Sequence, residues 1–189
     1  MNYRPYSLLF LILFVSCSKD TTTIRAQSSL VGYTSLVPTI NKGYLIQHTY
    51  FTLSYCETNR QAEWVAYTLT PASIKGTQDR TDDFKIDPKV KNNPVGSGDY
   101  SGSGYDRGHL CPAGDRKKSY DLYKETFFTS NASPQLYKFN AGVWNRLEQK
   151  TRYWATKNNG IYVITGGVLS DGLKTIGSEN VSVPDYFYK

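Results

Sequence analysis

The chain has 189 residues, enough for one domain with a sizeable core, and its 39% hydrophobic and 14% aromatic content excludes a disordered polymer. Its formal charge of +6 favours a polyanionic partner through long-range attraction, which is a statement about association and not about fold.

At the N-terminus, Arg4 precedes the apolar run Leu8 to Val15, which ends at Ser16-Cys17. A run this short fits the core of a signal peptide and cannot span a bilayer, which takes about 20 apolar residues. The small residue before Cys17 resembles a bacterial lipobox, in which the cysteine is lipidated and becomes the first mature residue. Ser18-Lys19-Asp20 looks like the acidic export signal of surface lipoproteins. The expected organisation is a lipoprotein-type signal over 1–16, a Thr/Ser-rich tether over 17–35 and a single domain over 36–189. The expected location is the cell envelope, membrane-anchored through Cys17, or the medium if the cysteine is not lipidated. Cys56 and Cys111 could then form a disulfide in an oxidising compartment or remain two buried thiols; the sequence leaves both open.

Tyr44 to Tyr55 is dense in aromatic and β-branched residues and reads as one strand with a buried face. His48 lies within it, without charged neighbours in sequence, and reads as structural. Glu63 to Thr70 is a second strand, closed by Pro71. From Pro71 to Gly104 the chain turns repeatedly, and Arg80 lies in this long loop. Asp106 to Leu110 reads as a short strand, Lys117 to Lys124 as a short helix, Thr126 to Ser130 as a buried strand, and Asn131 to Gln135 as a turn on Ser133-Pro134.

A longer helix begins near Asn140, with Trp144, Leu147, Thr151 and Trp154 in one apolar stripe of ~80° and Glu148 and Arg152 beside it. Asn158-Asn159-Gly160 ends the helix. Ile161 to Gly167 is a central strand, Leu169 to Gly177 a turn-rich hairpin region, and Val181 to Pro184 begins another strand. Strands, a helix and more strands predict an α+β fold with a mainly antiparallel central sheet and helices packed on it.

The residues with the most chemistry are Asp106-Arg107-Gly108-His109, followed by Asn140 and Glu148. A histidine can take a proton from water near neutral pH, an arginine can hold a phosphate oxygen with a planar fork of donors, and an amide with a carboxylate can hold a hard cation. That combination suits phosphodiester cleavage. The bland alternative is a surface salt bridge between Asp106 and Arg107 with His109 idle.

In order along the chain, QAEWVAYTLT, an arginine before FKIDP, YDRGHLCPAGD, ETFFTSNASPQ, FNAGVWNRLEQKTR and YVITGGVL resemble the DNA/RNA non-specific endonuclease family. That endonuclease G-like family lies within the ββα-metal, or His-Me finger, superfamily. The resemblance implies roles position by position. His109 matches the general base, Asn140 the ligand of a Mg2+ (with Mn2+ as an alternative ion), and Glu148 the carboxylate that holds metal-bound water. Arg107 and Arg80 match arginines near the scissile phosphate. Asn131 and Arg152 match positions of support or substrate contact, and Asp106 is expected to orient a neighbour. The implied substrates are DNA and RNA, cut to leave 5′-phosphate ends. The family pattern normally continues beyond Val183 to Lys189, so a domain shortened at its C-terminus is a further expectation, and with it the alternative of a nucleic-acid-binding envelope lipoprotein with impaired turnover.

Overall fold

The first strong β signal folds back on itself. Tyr44–Gln47 (β1) and Thr52–Cys56 (β2) pair antiparallel, with Tyr44 opposite Tyr55 and Gln47 opposite Thr52. The turn between them is closed by the His48 N–H donating to the Phe51 carbonyl at 2.9 Å. The single strand expected over Tyr44 to Tyr55 is thus a hairpin. Aromatic and β-branched residues run through the turn without Gly or Pro, so the pattern carries no break at the bend.

Gln61–Leu69 (β3) pairs with β2 on one edge and with Ile161–Gly167 (β6) on the other, and Phe187–Tyr188 (β9) pairs with β6. The computed structural model describes residues 36–78 and 81–189, and in it these strands form a five-stranded antiparallel sheet ordered β1-β2-β3-β6-β9. Val37–Lys189 form one compact unit. The proposed signal peptide, Cys17 and the tether up to residue 35 lie outside the described residues, as does Arg80. Among the described residues no helix is long and apolar enough to cross a membrane.

β3 is buried on both faces: Ala62, Trp64, Val65, Ala66, Tyr67 and Leu69 are all nearly inaccessible. A strand covered on both sides reads as a continuous apolar run, which explains the density of QAEWVAYTL. One core cluster joins Leu53, Val65, Tyr67, Leu69 and Val163 of the sheet to Leu110, Cys111 and Ala155. A second gathers Phe84, Tyr100, Tyr123, Phe127, Ala132 and Val181 beneath the loops.

Two small ribbons lie outside the main sheet: Asp106–His109 (β4) with Ala132–Gln135 (β5), and Thr175–Ile176 (β7) with Val181–Ser182 (β8). The helices are Pro71–Ile74 (α1), capped by Thr70; Tyr120–Glu125 (α2), capped by Ser119; and Asn145–Lys157 (α3), entered through a π-helical turn over Phe139–Trp144.

Two expectations are displaced here. Thr126 to Ser130 is not a strand: Thr126, Phe127 and Phe128 donate back to carbonyls at the end of α2, and Thr129–Asn131 form a 3-10 turn. The strand comes one step later, where a turn on Ser133-Pro134 is expected. β5 pairs on one side only, and a strand with a free edge accommodates a residue that has no N–H.

The helix seam also shifts. Trp144, Thr151 and Ala155 are buried, while Trp154 is 42% exposed beneath the Lys150 ammonium. Counted from Trp144 at 100° per residue, Thr151 and Ala155 fall within about 20° of it, whereas Leu147 and Trp154 lie about 60° and 80° to one side. The expected stripe follows the large apolar side chains Leu147 and Trp154, whereas the small residues Thr151 and Ala155 mark the direction that is buried.

A buried polar pin joins three loops away from the cleft. His48 Nε2 and Asp87 Oδ2 lie 2.9 Å apart, the Ser130 hydroxyl donates to the same oxygen, and the Lys89 N–H donates to Oδ1. His48 is therefore structural, packed on Phe51 and Phe128. Burial pushes the Asp87 carboxyl up, but the bonds from His48 and Ser130 outweigh it and hold the group below the usual carboxylate range. A depressed pKa contributes stability above the unfolded value of about 4 and loses it as pH falls through the folded one. Asp87→Ala strands a buried imidazole, a hydroxyl and an amide. It is expected to cost about 3–5 kcal/mol in urea unfolding near neutral pH, with the gap to wild type closing in acid.

Candidate active site

The site is built on the β4–β5 ribbon and the head of α3. In β4, side chains alternate, so Arg107 and His109 share a face, and both rest on Phe84. The His109 ring lies 5.0 Å from Phe84, and the Arg107 guanidinium carbon is 5.0 Å above the same ring. Phe127 meets the imidazole edge-on, at 5.0 Å and 88°. The two rings fix the plane of the histidine, which keeps 9% of its surface accessible. Asp82 Oδ2 accepts from Arg107 Nη2 at 2.8 Å, holding one end of the guanidinium at the cleft wall. Gly108 faces the other way, against the Gln135 side chain. A Cβ there would lie 2.2 Å from Gln135 atoms, so no side chain fits.

The segment after His109 is held by side chains acting on its backbone. The Asn131 carbonyl accepts from Leu110 N–H at 2.9 Å, and Asn131 Oδ1 accepts from Cys111 N–H at 2.8 Å. Asn131 Nδ2 donates to the carbonyls of Cys111 and Thr126, at 2.9 and 2.8 Å. Every polar atom of this fully buried amide is thus spent on main chain, so the geometry is that of a support and not of a substrate contact. Trp144 Nε1 donates to the His109 carbonyl at 3.2 Å, and Lys189 Nζ to the Leu110 carbonyl at 2.9 Å. Burial pushes the Lys189 ammonium below its usual value, against the opposing pull of Glu148 and Asp115.

Asn140 sits in the π-helical turn, with its backbone N–H donating to Leu136 O at 2.9 Å. Its Nδ2 donates to Asp106 Oδ2 at 3.0 Å, tying the helix head to β4. Only an NH2 group can face that carboxylate, so the bond also fixes where the amide oxygen points. The sequence-level alternative of a surface Asp106–Arg107 salt bridge does not occur: Asp106 bonds Asn140, and Arg107 bonds Asp82.

Glu148 and Arg152 follow on α3, and Arg152 Nη1 donates to Asp115 Oδ1 at 2.8 Å. Asp115 is buried and also accepts the Tyr67 hydroxyl at 2.9 Å, so a carboxylate anchored in the core holds the arginine.

Arg107, His109, Asn140, Glu148 and Arg152, with Asp106, line one cleft of about 930 Å3. Sequence reasoning missed Asp82, Phe84 and Asp115. Asp115 closes the string YDRGHLCPAGD, and that was its only signal; Asp82 and Phe84 lie in a loop whose path no periodicity reveals.

Among the described residues no three His, Cys, Asp or Glu side chains cluster as a metal cage. The cleft is lined by the Asn140 amide oxygen and the Glu148 carboxylate, with Asp82 bonded to Arg107, Asp106 to Asn140 and Asn145 to Gln149, a hard oxygen set without a clustered triad of carboxylates. It suits an ion that keeps most of its water and does not suit a closed zinc site. Cys56 and Cys111 are both free and buried, which resolves the alternative in favour of thiols. Burial pushes the Cys111 thiol up to about 12, leaving it inert.

The profile of the DNA/RNA non-specific endonuclease family matches residues 32–189. Mitochondrial nuclease EXOG of Danio rerio is 39% identical over 154 residues, which cover 75% of this chain and 45% of that protein. Mitochondrial endonuclease G of Homo sapiens is 34% identical over 151 residues, 74% of this chain and 51% of its own. Nuclease C1 of Cunninghamella echinulata var. echinulata is 39% identical over 154 residues, 74% of this chain and 61% of its own. A solved structure, that of the EndoG/EndoGI complex, superposes with a TM-score of 0.70 at 31% identity, covering 79% of this chain and 67% of that one. The chain spans about half the length of the curated relatives it matches. With the ribbon, the helix and the cleft between them in place, these matches make the chain a member of the DNA/RNA non-specific endonuclease family.

Proposed function

We propose that the chain is a metal-dependent endonuclease that hydrolyses phosphodiester bonds of DNA and RNA. The observation that carries this reading is the convergence of His109 from β4 and Asn140 and Glu148 from the head of α3 on one cleft, with the Asn140 amide oriented by Asp106. His109 takes a proton from the attacking water, its ring held in place by Phe84 and Phe127. The water oxygen bonds to phosphorus as the P–O3′ bond breaks, and the departing 3′ oxygen takes up a proton from solvent. The products are a 5′-phosphate and a 3′-hydroxyl.

Arg107, with one nitrogen held by Asp82, turns its remaining donors to the non-bridging oxygens. Arg152, anchored by Asp115, adds positive charge to the same wall. Arg80 is proposed as a further arginine near the scissile phosphate. The Asn140 oxygen would hold the cation directly and Glu148 would hold its water; Mg2+ is the ion proposed, with Mn2+ able to replace it. A hard cation bound there would supply charge to polarise the phosphate and to offset the charge on the leaving oxygen. Affinity comes from phosphate contacts, so it falls steeply with salt and shows little base preference.

Residues 1–16 are proposed as a signal, and Cys17 as a lipid anchor that places the nuclease at the cell envelope. Incubating the purified protein with plasmid and with RNA is expected to give cutting in Mg2+ and none in excess chelator, with activity restored on adding Mg2+. Salt-sensitive binding without metal-dependent cutting would contradict the reading and would mark a binding protein that lacks turnover.

A further inference from the structure

The cleft carries one feature that hydrolysis itself does not use. The β4–β5 ladder ends at the pair Asp106–Gln135, so the next residues on each strand, Tyr105 and Leu136-Tyr137, leave the ribbon at the same end. Both tyrosines line the cleft. The Tyr105 ring is engaged by the Lys174 ammonium, 5.3 Å from its centroid. Tyr137 stands 70% exposed, three residues before Asn140, with the exposed Lys138 beside it. Among the described residues, the Tyr137 side chain has no ring neighbour and its hydroxyl no hydrogen-bond partner.

An exposed tyrosine on a convex surface needs no explanation, but this one forms the wall of a cleft that also holds the reacting groups. Asp106 and His109 are three strand steps apart, about 10 Å, so this end of the ribbon lies close to where the phosphate is cut. A nucleoside close to that phosphate is then within reach of the ring.

In an intact duplex, bases are stacked inside and offer no free face; an unpaired base does. We propose that Tyr137 stacks against an unpaired base adjoining the scissile phosphate, so that the cleft takes single-stranded or locally opened nucleic acid in preference to intact duplex. The inference rests on the nuclease reading and names the form of its substrate. Stacking uses the ring face and not the hydroxyl.

The test pairs two measurements on the full chain: quenching of a 2-aminopurine single strand in chelator, and steady-state cleavage of single-stranded and duplex oligonucleotides in Mg2+. Tyr137→Ala is expected to lose the quenching and to weaken single-strand Kd and KM about 5- to 100-fold with little change in kcat, while duplex cutting is unaltered. Tyr137→Phe and Tyr137→Trp should stay within about twofold of wild type, since each keeps the ring. Equal losses on both substrates, no loss in Tyr137→Ala, or a loss in Tyr137→Phe as large as in Tyr137→Ala would overturn the proposal. Quenching by wild type without cutting would leave stacking standing and remove the hydrolytic reading. Cutting without quenching would remove stacking alone, and the absence of both would overturn the two together.

Discussion

His109→Ala is expected to lower kcat for phosphodiester hydrolysis by about 10²–10⁴-fold, the usual contribution of a positioned general base, while nucleic-acid binding in chelator changes little. The division follows from where the ring sits. His109 is clamped between Phe84 and Phe127 and contributes a proton acceptor to the cleft, whereas backbone affinity is expected from the arginines and lysines. The fold should survive the change. The segment it belongs to is held through main-chain groups, by Trp144 on the His109 carbonyl and by Asn131 on Leu110 and Cys111, and none of these bonds needs the imidazole. Single-turnover cleavage alongside a binding isotherm checks both halves. Unchanged turnover would remove His109 from the chemistry, and loss of binding in proportion to turnover would make it a substrate contact instead of a base.

Asn131→Ala is expected to cost about 3–5 kcal/mol of stability, read as a lowered urea midpoint with an unchanged m-value. One amide serves the N–H and carbonyl of Cys111 and the carbonyl of Thr126, all within 2.9 Å and all buried. Removing it leaves three main-chain groups without partners, each costing about 1–3 kcal/mol, with less than full additivity because they share one site. Asn131→Asp should do no better, since a carboxylate would turn oxygens toward two carbonyl oxygens with no donor to offer. A variant aspartate as stable as wild type would mean that the amide does not hold the loop. Because Leu110 and Cys111 follow His109 directly, activity measured well below the melting transition should also drop, through displacement of the imidazole.

Much of this arrangement was legible in the sequence because the chemistry and the local pattern coincide. Asp106–His109 is a strand and also the reacting segment; Glu148 and Arg152 lie one turn apart on α3, and Asn140, on the turn that enters it, lines the same cleft. The partners that orient them were not legible. Asp82 and Phe84 reach Arg107 and His109 from a loop, and Asp115 reaches Arg152 after a 3-10 turn, so nothing periodic links them to the groups they hold. Strand and turn were exchanged around Thr126 to Gln135 because aromatic content there reflects burial against His48 and His109 and not sheet pairing. Trp154 was placed in the seam by its apolar character, although the small residues Thr151 and Ala155 carry the buried face and Trp154 stays 42% exposed.

The chain has two histidines, which makes one measurement unusually direct. His48 is shut in beside Asp87, while His109 lines the cleft, so imidazole NMR signals report the core and the site separately. Substoichiometric Mn2+ is expected to broaden the His109 signals first, identified by their loss in His109→Ala, and to leave those of His48 sharp; in Asn140→Ala this selective broadening should disappear. Equal broadening of both histidines, none at all, or broadening of His109 that persists in Asn140→Ala would contradict a cation held by Asn140 beside the imidazole.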